Sequence, residues 1–395
     1  MKKNLYAFCP GDPQFPVITA MIRDAAPGKQ VDLHIASQDE MYSYGETVCG
    51  GRPIALMAYF RAGIEINKAL RQLVRWKFGT PDKIGTFLDF ASGHGRSTRF
   101  TVADLSPERM WAADILKDAV NFQREQFHVN ALQSATDLDF FHSPVQYDCI
   151  FVCSLFTHLP ERTFTRWLTK LFSLLKPDGL LIFSVHGDDL LPKDASMPRQ
   201  GIYFMPLSEI AELKTEDYGA TIVTESFVSR AIERATGRSQ YVRIAKGLTC
   251  YQDIYLIANG ALPSSQLNYE YGAQGCLDFC VWESPGEFEA RGWAVDITPG
   301  HTIREIQILY NGELIQTCRP AVPRPDIAVY FGNPGDATLT ATGWQCRFTP
   351  PRGEVSPFSD ILMVKAICSA GSEYFLDATY LHRICRFGRA ALPPV

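Results

Sequence analysis

Residues Phe87–Phe100 read FLDFASGHGRSTRF. An apolar run carrying one acid, Asp89, passes into a turn with glycines at Gly93 and Gly95, and a helix is predicted from about Arg96. Glycines let a partner approach the main chain without meeting a Cβ, and the first N–H groups of a helix have no partner within it. In a parallel sheet, ligands bind in the crevice at the carboxyl ends of the strands, where the strand order reverses. The stretch therefore predicts a strand, a bare turn and a helix start, with a carboxylate at the ligand end.

Working outward, Pro81–Ala258 alternates apolar runs with amphipathic stretches, the pattern of a parallel sheet covered on both faces. The predicted strands are Thr86–Phe90, Met110–Ala113, Cys149–Cys153 and Leu180–Val185. Between the last two, Phe164, Trp167, Leu168, Leu171 and Leu175 recur at helical spacing until Pro177 and Gly179. Strand, helix and strand in this order make a right-handed crossover. Residues 1–80 read as an irregular, then helical cap, with Ile54–Lys77 as its helix. Residues 259–274 read as a linker. Residues 275–395 carry short alternating strands, including a hairpin at Asn311-Gly312, and predict an all-β sandwich.

The 395 residues carry a net charge of −5, with 46% hydrophobic and 21% charged side chains. That composition suits soluble globular domains and argues against a nucleic-acid partner, which needs a broad basic face. The eleven cysteines form no Cys-x-x-Cys and no Cys/His cluster. Cys149/Cys153 and Cys276/Cys280 lack the further ligands of a metal site, so no metal is expected. Free buried thiols are expected throughout. With Met1–Lys3 leading into no long apolar core, the expected setting is the cytoplasm, without membrane insertion.

Two readings compete for the glycine turn. A dinucleotide fingerprint needs Gly-x-Gly-x-x-Gly, and here Thr98 or Arg96 falls in the third place, depending on register. The alternative needs an acid before the glycines, and Asp89 supplies it. FLDFASGHG resembles the first motif of the class I S-adenosylmethionine-dependent methyltransferases, with Ala91 where the family usually has its first glycine. YDCIFVCSLFTHLP, KPDGLLIFSVHG and the region to GLTCYQDIYLIA are similar to the later motifs of the small-molecule (type 11/12) branch. The resemblance covers about residues 50–258. It implies a Rossmann-like α/β sheet, mostly parallel with an antiparallel last strand, and S-adenosyl-L-methionine as cofactor. A carboxylate beside the turn favours a cationic sulfonium amino acid and repels phosphates.

The resemblance also implies the cofactor residues. Asp89, Ala91, Gly93 and Gly95 form the first motif, Asp114 with Ile115 meets the ribose, Asp137 meets the adenine amine, and Ser154 and Leu155 border the methionine part. An acid at Asp114 also suits adenine dinucleotides, or a helix cap.

Methyl transfer is an in-line displacement at an already activated carbon, so a base is needed only for a neutral hydroxyl or a protonated amine. His186, with Asp188 and Asp189 close by to raise its pKa, and His158, after the fourth strand, are the candidates. Each also has a plain structural reading as a loop histidine. His94 is expected to face solvent or cofactor. Tyr42, Tyr44 and Arg61 in the cap, and Arg199 and Tyr203 in the loop after the fifth strand, are candidate acceptor contacts. Gly292-Trp293-Ala294, Arg324-Pro325-Asp326 and Thr342-Gly343-Trp344 resemble a β-sandwich module attached to transferases of surface-polysaccharide pathways. That tilts the expected acceptor toward a sugar or glycan, with the sandwich alternatively a dimerisation or docking surface. Trp293 and Trp344 read either as core or as sugar-stacking rings. The competing functions are an NAD(P)-dependent oxidoreductase and a non-catalytic glycan-binding protein.

Overall fold

A computed structural model describes residues 5–6, 10–49, 51–207, 213–284, 286–333, 336–351 and 355–386. The Met1–Lys3 start lies outside them. The chain divides into two compact units. The first comprises Met1–Ala7, Lys29–Tyr44 and Ala62–Asn268; the second comprises Phe8–Gly28, Gly45–Arg61 and Tyr269–Val395.

In the first unit, besides the short antiparallel pair Leu5–Tyr6 and Ile35–Ala36, the strands are β1 (Phe87–Phe90), β2 (Met110–Asp114), β3 (Asn130–Gln133), β4 (Tyr147–Val152), β5 (Leu175–Gly187), β6 (Ile202–Met205), β7 (Ala220–Val223), β8 (Val242–Leu248) and β9 (Gln252–Ala258). The main sheet runs β8-β9-β5-β4-β1-β2-β3. β1 pairs in parallel with both β2 and β4, Phe87 lying opposite Met110 on one side and Cys149 on the other. β9 is antiparallel to β5, with Asp253 opposite Val185. All four residues of β1 are buried, as a strand covered on both faces requires. The sheet is Rossmann-like and mostly parallel, and its strand order reverses between β1 and β4.

The helices begin with α1 (Gln14–Ala25), α2 (Glu40–Val48) and α3 (Arg52–Phe78); α4 (Thr98–Asp104), α5 (Lys117–Gln126), α6 (Glu161–Ser173) and α7 (Glu225–Thr236) cover this sheet. The predicted face of α6 is the buried one, through Phe164, Trp167, Leu168 and Leu171. Trp167 packs on Phe90 of β1 at 5.0 Å between ring centroids. The stretch up to Tyr203, expected as a loop, ends in strand β6, which pairs with β7. β7 in turn runs beside the end of β5, with His186 opposite Ile222. Four-residue strands such as these depend on tertiary pairing and leave almost no periodicity to read.

The second unit holds two four-stranded sheets. Its strands are β10 (Ala273–Ser284), β11 (Glu287–Asp296), β12 (Ile303–Tyr310), β13 (Glu313–Cys318), β14 (Gly343–Phe348), β15 (Ile361–Cys368), β16 (Glu373–Tyr380) and β17 (Cys385–Arg386). The sheet orders are β14-β11-β10-β17 and β13-β12-β15-β16. Phe288 and Trp344 from one sheet share a core with Ile306 and Val364 from the other. Trp344, 1% exposed, is part of that core.

The first eighty residues, expected as one cap, are shared between the units. Helix α1 (Gln14–Ala25) belongs to the second. The reason is a buried cation: Lys365 on β15 is 7% exposed and donates to Asp24 and Glu373, each at 2.8 Å. An ammonium taken out of water needs such partners. Gln14 also hydrogen-bonds Tyr380. Among the described residues, no helix is long and apolar enough to cross a membrane, and no group of three or more His, Cys, Asp or Glu residues could hold a metal ion.

The expectation of free thiols throughout is corrected by a disulfide between Cys318 on β13 and Cys346 on β14, Cα atoms 6.1 Å apart. It joins the two sheets, a proximity that 28 intervening positions hide from sequence. Closing a loop of that length in the unfolded chain is worth about 3–4 kcal/mol. The double variant Cys318→Ser/Cys346→Ser is therefore expected to unfold at lower denaturant by about that amount. Equal midpoints for variant and oxidised protein, in chemical denaturation followed by fluorescence, would contradict the bridge.

Candidate functional site

The reversal between β1 and β4 places the ends of both strands side by side, and the first unit gathers its polar side chains there. Asp89, near the end of β1, is 1% exposed. Its Oδ2 accepts from Thr98 Oγ1 at 2.7 Å and from Ser97 Oγ at 3.3 Å, while its Oδ1 is buried without a hydrogen-bond partner. Burial raises the carboxyl from its ordinary 3.8 to about 6, opposed by the two hydroxyls. A half-satisfied buried acid is costly to an empty protein and useful to a site that receives a donor or a cation.

The turn after it is bare and bent. Ala91 takes φ +57°, the left-handed region that costs a side-chain-bearing residue about 1–2 kcal/mol. Gly93 has φ +54°, and a Cβ there would meet nothing within 4 Å, so the turn opens onto empty space. Gly95 serves the opposite purpose. A Cβ on it would come 2.4 Å from the Phe127 ring, so its absence allows the helix to sit close.

Asp114 ends β2 and braces this turn. Its Oδ2 accepts from the Gly93 N–H at 2.7 Å and its Oδ1 from the Leu116 N–H at 2.9 Å. Burial pushes its carboxyl up, countered by those N–H groups. Gln123 of α5 donates to Ser92 Oγ at 2.6 Å and to the Gly93 carbonyl at 2.7 Å. Arg99 of α4, 2% exposed, donates to the Gly95 carbonyl and to the carbonyls of Asp32 and His34. It thereby ties the segment Lys29–Tyr44 to the turn. Sequence reading missed both residues. Their signal was a polar side chain on the buried face of a helix, as Gln123 follows Ala119 and Val120.

Beside Asp114, Ile115, Asp118, Asn121, Ala135, Thr136 and Leu213 line a cleft of about 760 Å³, within the usual size range of small-molecule sites. Asp137 is not among its lining residues; its carboxylate accepts from the Asp139 N–H at 3.1 Å and so caps a short turn. His94 is 4% exposed and lies edge-on to Phe122 at 5.9 Å, so it does not face solvent.

On the far side of the reversal, Ser154 has φ +65°. Its N–H donates to Ser184 Oγ at 2.9 Å, and its Oγ accepts from Gln252 Nε2 at 2.9 Å. Leu155 opens the short helical turn Leu155–Thr157. Backbone strain on a residue other than glycine clusters at functional sites. Ser184 and Gln252, from β5 and β9, are further residues that only the sheet brings together.

The two candidate bases are electrostatic neighbours with different surroundings. His158 stacks on Tyr218 at 4.5 Å and bonds through Nδ1 to the Gly219 carbonyl at 2.7 Å, tying the β6–β7 hairpin to the sheet. His186, at the end of β5, is packed edge-on to Tyr251 at 5.3 Å. Burial, together with the neighbouring His158, lowers it from 6.5 to about 4, against a backbone hydrogen bond at Thr221 and the charge of Asp189. The rise expected from the nearby carboxylates is outweighed by burial, and His186 is uncharged near neutral pH. Of the expected acceptor contacts, Tyr42 is buried and Tyr44 is 52% exposed, both in the first unit. Arg61 belongs to the second unit, where it donates to the Leu376 carbonyl at 2.9 Å. Arg199 is exposed and Tyr203 half-buried.

Residues 85–181 match a family model described as a methyltransferase domain. No curated protein matches the chain. Solved structures with similar folds include an S-adenosylmethionine-dependent methyltransferase from Clostridium acetobutylicum ATCC 824, 12% identical over 50% of this chain and 92% of that one, with a TM-score of 0.35. A second is the Burkholderia thailandensis 1,6-didemethyltoxoflavin-N1-methyltransferase with bound 1,6-didemethyltoxoflavin and S-adenosylhomocysteine, 15% identical over 65% and 93%, at 0.36. A third is the plantazolicin methyltransferase in complex with a pentazolic desmethylPZN analog and S-adenosylhomocysteine, 13% identical over 62% and 96%, at 0.40.

The raised Asp89 carboxyl makes a prediction for the free protein. Between its unfolded value of 3.8 and its folded value of about 6, the folded state holds the proton more tightly. Stability from this group therefore falls as pH rises through that window, by about 3 kcal/mol in total. Asp89→Asn carries no such charge. Its stability relative to the parent is expected to improve by up to that amount between pH 4 and pH 7, measured by denaturant unfolding. A difference that does not change with pH would show that Asp89 is not buried as described.

Proposed function

We propose that the chain is an S-adenosylmethionine-dependent methyltransferase acting on a hydroxyl of a small acceptor, with sugars and glycan intermediates the favoured class. The observation that carries this is the unpartnered, buried Oδ1 of Asp89 beside a glycine whose missing side chain leaves open space. A carboxylate in that position attracts an ammonium or sulfonium and repels a diphosphate. The methyltransferase-domain match over residues 85–181 supports the same reading.

When bound, S-adenosylmethionine supplies a methyl group already activated on a sulfonium. The work left to the protein is alignment, desolvation and, for a neutral hydroxyl, removal of a proton. Asp89 and the open turn at Gly93 receive the amino-acid part, with Ser154 and Leu155 bordering it across the strand reversal. Asp114 accepts from the ribose hydroxyls with the lone pairs its two backbone contacts leave, and Ile115 forms an apolar wall. His186 accepts the acceptor's proton, for which its uncharged state near neutral pH suits it. His158 serves as a positioning residue, holding the β6–β7 hairpin near His186. Arg199, in the turn before β6, and Tyr203, on β6, approach the acceptor, as do Tyr42 and Tyr44 from the segment clamped by Arg99. The sugar preference rests on the second unit, where Trp293 lies 6.2 Å from Tyr330, a ring that is 72% exposed. Exposed aromatic faces with polar tips suit the C–H faces and hydroxyls of pyranose rings.

Calorimetry with S-adenosylmethionine and with NAD tests the cofactor: heat is expected with the first and none with the second, and the reverse would replace the reading by a dinucleotide enzyme. Asp114→Ala is expected to weaken cofactor binding by about 1–3 kcal/mol, through unpaired ribose hydroxyls and a loosened turn. With a labelled methyl donor and a panel of nucleotide sugars, glycan fragments and phenolics, transfer is expected to the sugars. The rate should stay level from pH 8 to about pH 5 and fall as His186 takes up a proton near pH 4. His186→Gln should remove most of it, and full activity in that variant would exclude His186 as the base.

A further inference from the structure

The cleft beside Asp114 has a polar wall that the reading above leaves without a role. Its polar lining consists of Lys117, Asp118, Asn121 and Thr136. Lys117 offers only donors. Asn121 already accepts from Arg124 Nη1 at 3.2 Å. Thr136 brings a neutral hydroxyl, a weaker acceptor than a carboxylate. Asp118 is the carboxylate of the set, and its side chain is 52% exposed.

Behind Asp118 stands a buried histidine. The His94 side chain is 2% exposed, and its Nε2 lies 3.4 Å from Asp118 Oδ2. That is ion-pair distance, yet Nε2 has no hydrogen-bond partner, so the two groups are close but out of line. A buried ring nitrogen left unmatched next to a half-exposed carboxylate describes a pair that closes when something turns the carboxylate. A base entering the cleft would do so by offering a donor on the opposite side.

We propose that Asp118 reads the exocyclic amine of the cofactor's adenine, with His94 as the positioning residue that holds the carboxylate in line. The proposal rests on the cofactor reading above and adds the specificity of its base pocket. The geometry is local to one turn of helix: Asp118 sits four residues beyond Asp114, so the acid that meets the ribose and the acid that meets the base share one strand-to-helix junction. Ile115, Leu116 and Ala135 among the lining residues provide apolar surface for the ring. An acceptor-only carboxylate favours a 6-amino purine and disfavours a 6-oxo purine, whose carbonyl would oppose it. Asp137 is then released from the role its sequence position suggested.

Calorimetry with S-adenosylhomocysteine and its 6-oxo counterpart S-inosylhomocysteine tests this without any turnover. The parent protein is expected to bind the adenosyl compound about ten-fold or more tightly than the inosyl one, the scale of one hydrogen bond to a charged group. Asp118→Ala, at a half-exposed position that does not threaten folding, should bring the two affinities to within about three-fold, chiefly by weakening the adenosyl compound. Asp137→Ala should keep the parent's selectivity. His94→Ala should lower the selectivity ratio, and adding it to Asp118→Ala should change the ratio no further, because the histidine acts through the carboxylate. Parent-like selectivity in Asp118→Ala, with tight adenosyl binding intact, would overturn the proposal and leave the cofactor reading standing. Absence of any heat with either compound in the parent would overturn both.

Discussion

One half-satisfied carboxylate organises the first unit. Asp89 is withdrawn from water at the carboxyl end of the central strand, and the hydroxyls of Ser97 and Thr98 satisfy one of its oxygens. The other has no partner. A protein tolerates such a group where the cost is returned by a ligand. Much of the surroundings follows from holding it there. The strand is covered on both faces, Gly95 leaves room for the Phe127 ring at the end of α5, and the hydroxyl donors sit at the start of α4.

The turn is held by contacts from four directions, none of which touches the open side. Asp114 fixes the Gly93 amide, Gln123 the Gly93 carbonyl, Arg99 the Gly95 carbonyl, and Gly95 itself makes room for Phe127. Left-handed geometry at Ala91 and Ser154 on either side of the strand reversal shows backbone strain concentrated where the chain must bare itself. Rigid support around an open crevice is what a pre-organised binding site requires. The two histidines differ in their surroundings. His158 is bound into the hairpin, while His186 is kept uncharged by burial at the end of β5.

Much of this was legible in the sequence. Apolar runs bounded by glycines and acids located β1, β2 and β4 to within two residues, because strands buried on both faces admit few polar residues; β5 begins at Leu175, which read as the end of α6. The acid-then-glycine order identified the turn. The cleft containing Ile115 adjoins Asp114, and Ser154 and Leu155 lie at the end of β4 as expected. Other features were not legible. Gln123 and Arg99 read as ordinary polar positions on short helices until the fold turns them inward. The β6–β7 hairpin has too few residues to show a period. The Cys318–Cys346 bridge and the Lys365–Asp24 pair join positions whose proximity depends on how two sheets and a helix pack.

Sequence by itself determined the α/β unit, its crevice at the glycine turn and the strand-rich character of the remainder, since these follow from local periodicity, turn chemistry and the spacing of acids. The remainder also carries the short helices Pro325–Tyr330 and Leu381–Ile384. Tertiary structure decided which segments accompany which unit, which acid faces the cleft and which histidine is kept neutral. Those outcomes depend on burial and on distances between residues far apart in the chain. A carboxylate four residues past the end of a strand looks the same on paper whether it lines a cleft, as Asp118 does, or caps its own turn, as Asp137 does. Only the packing around it separates the two.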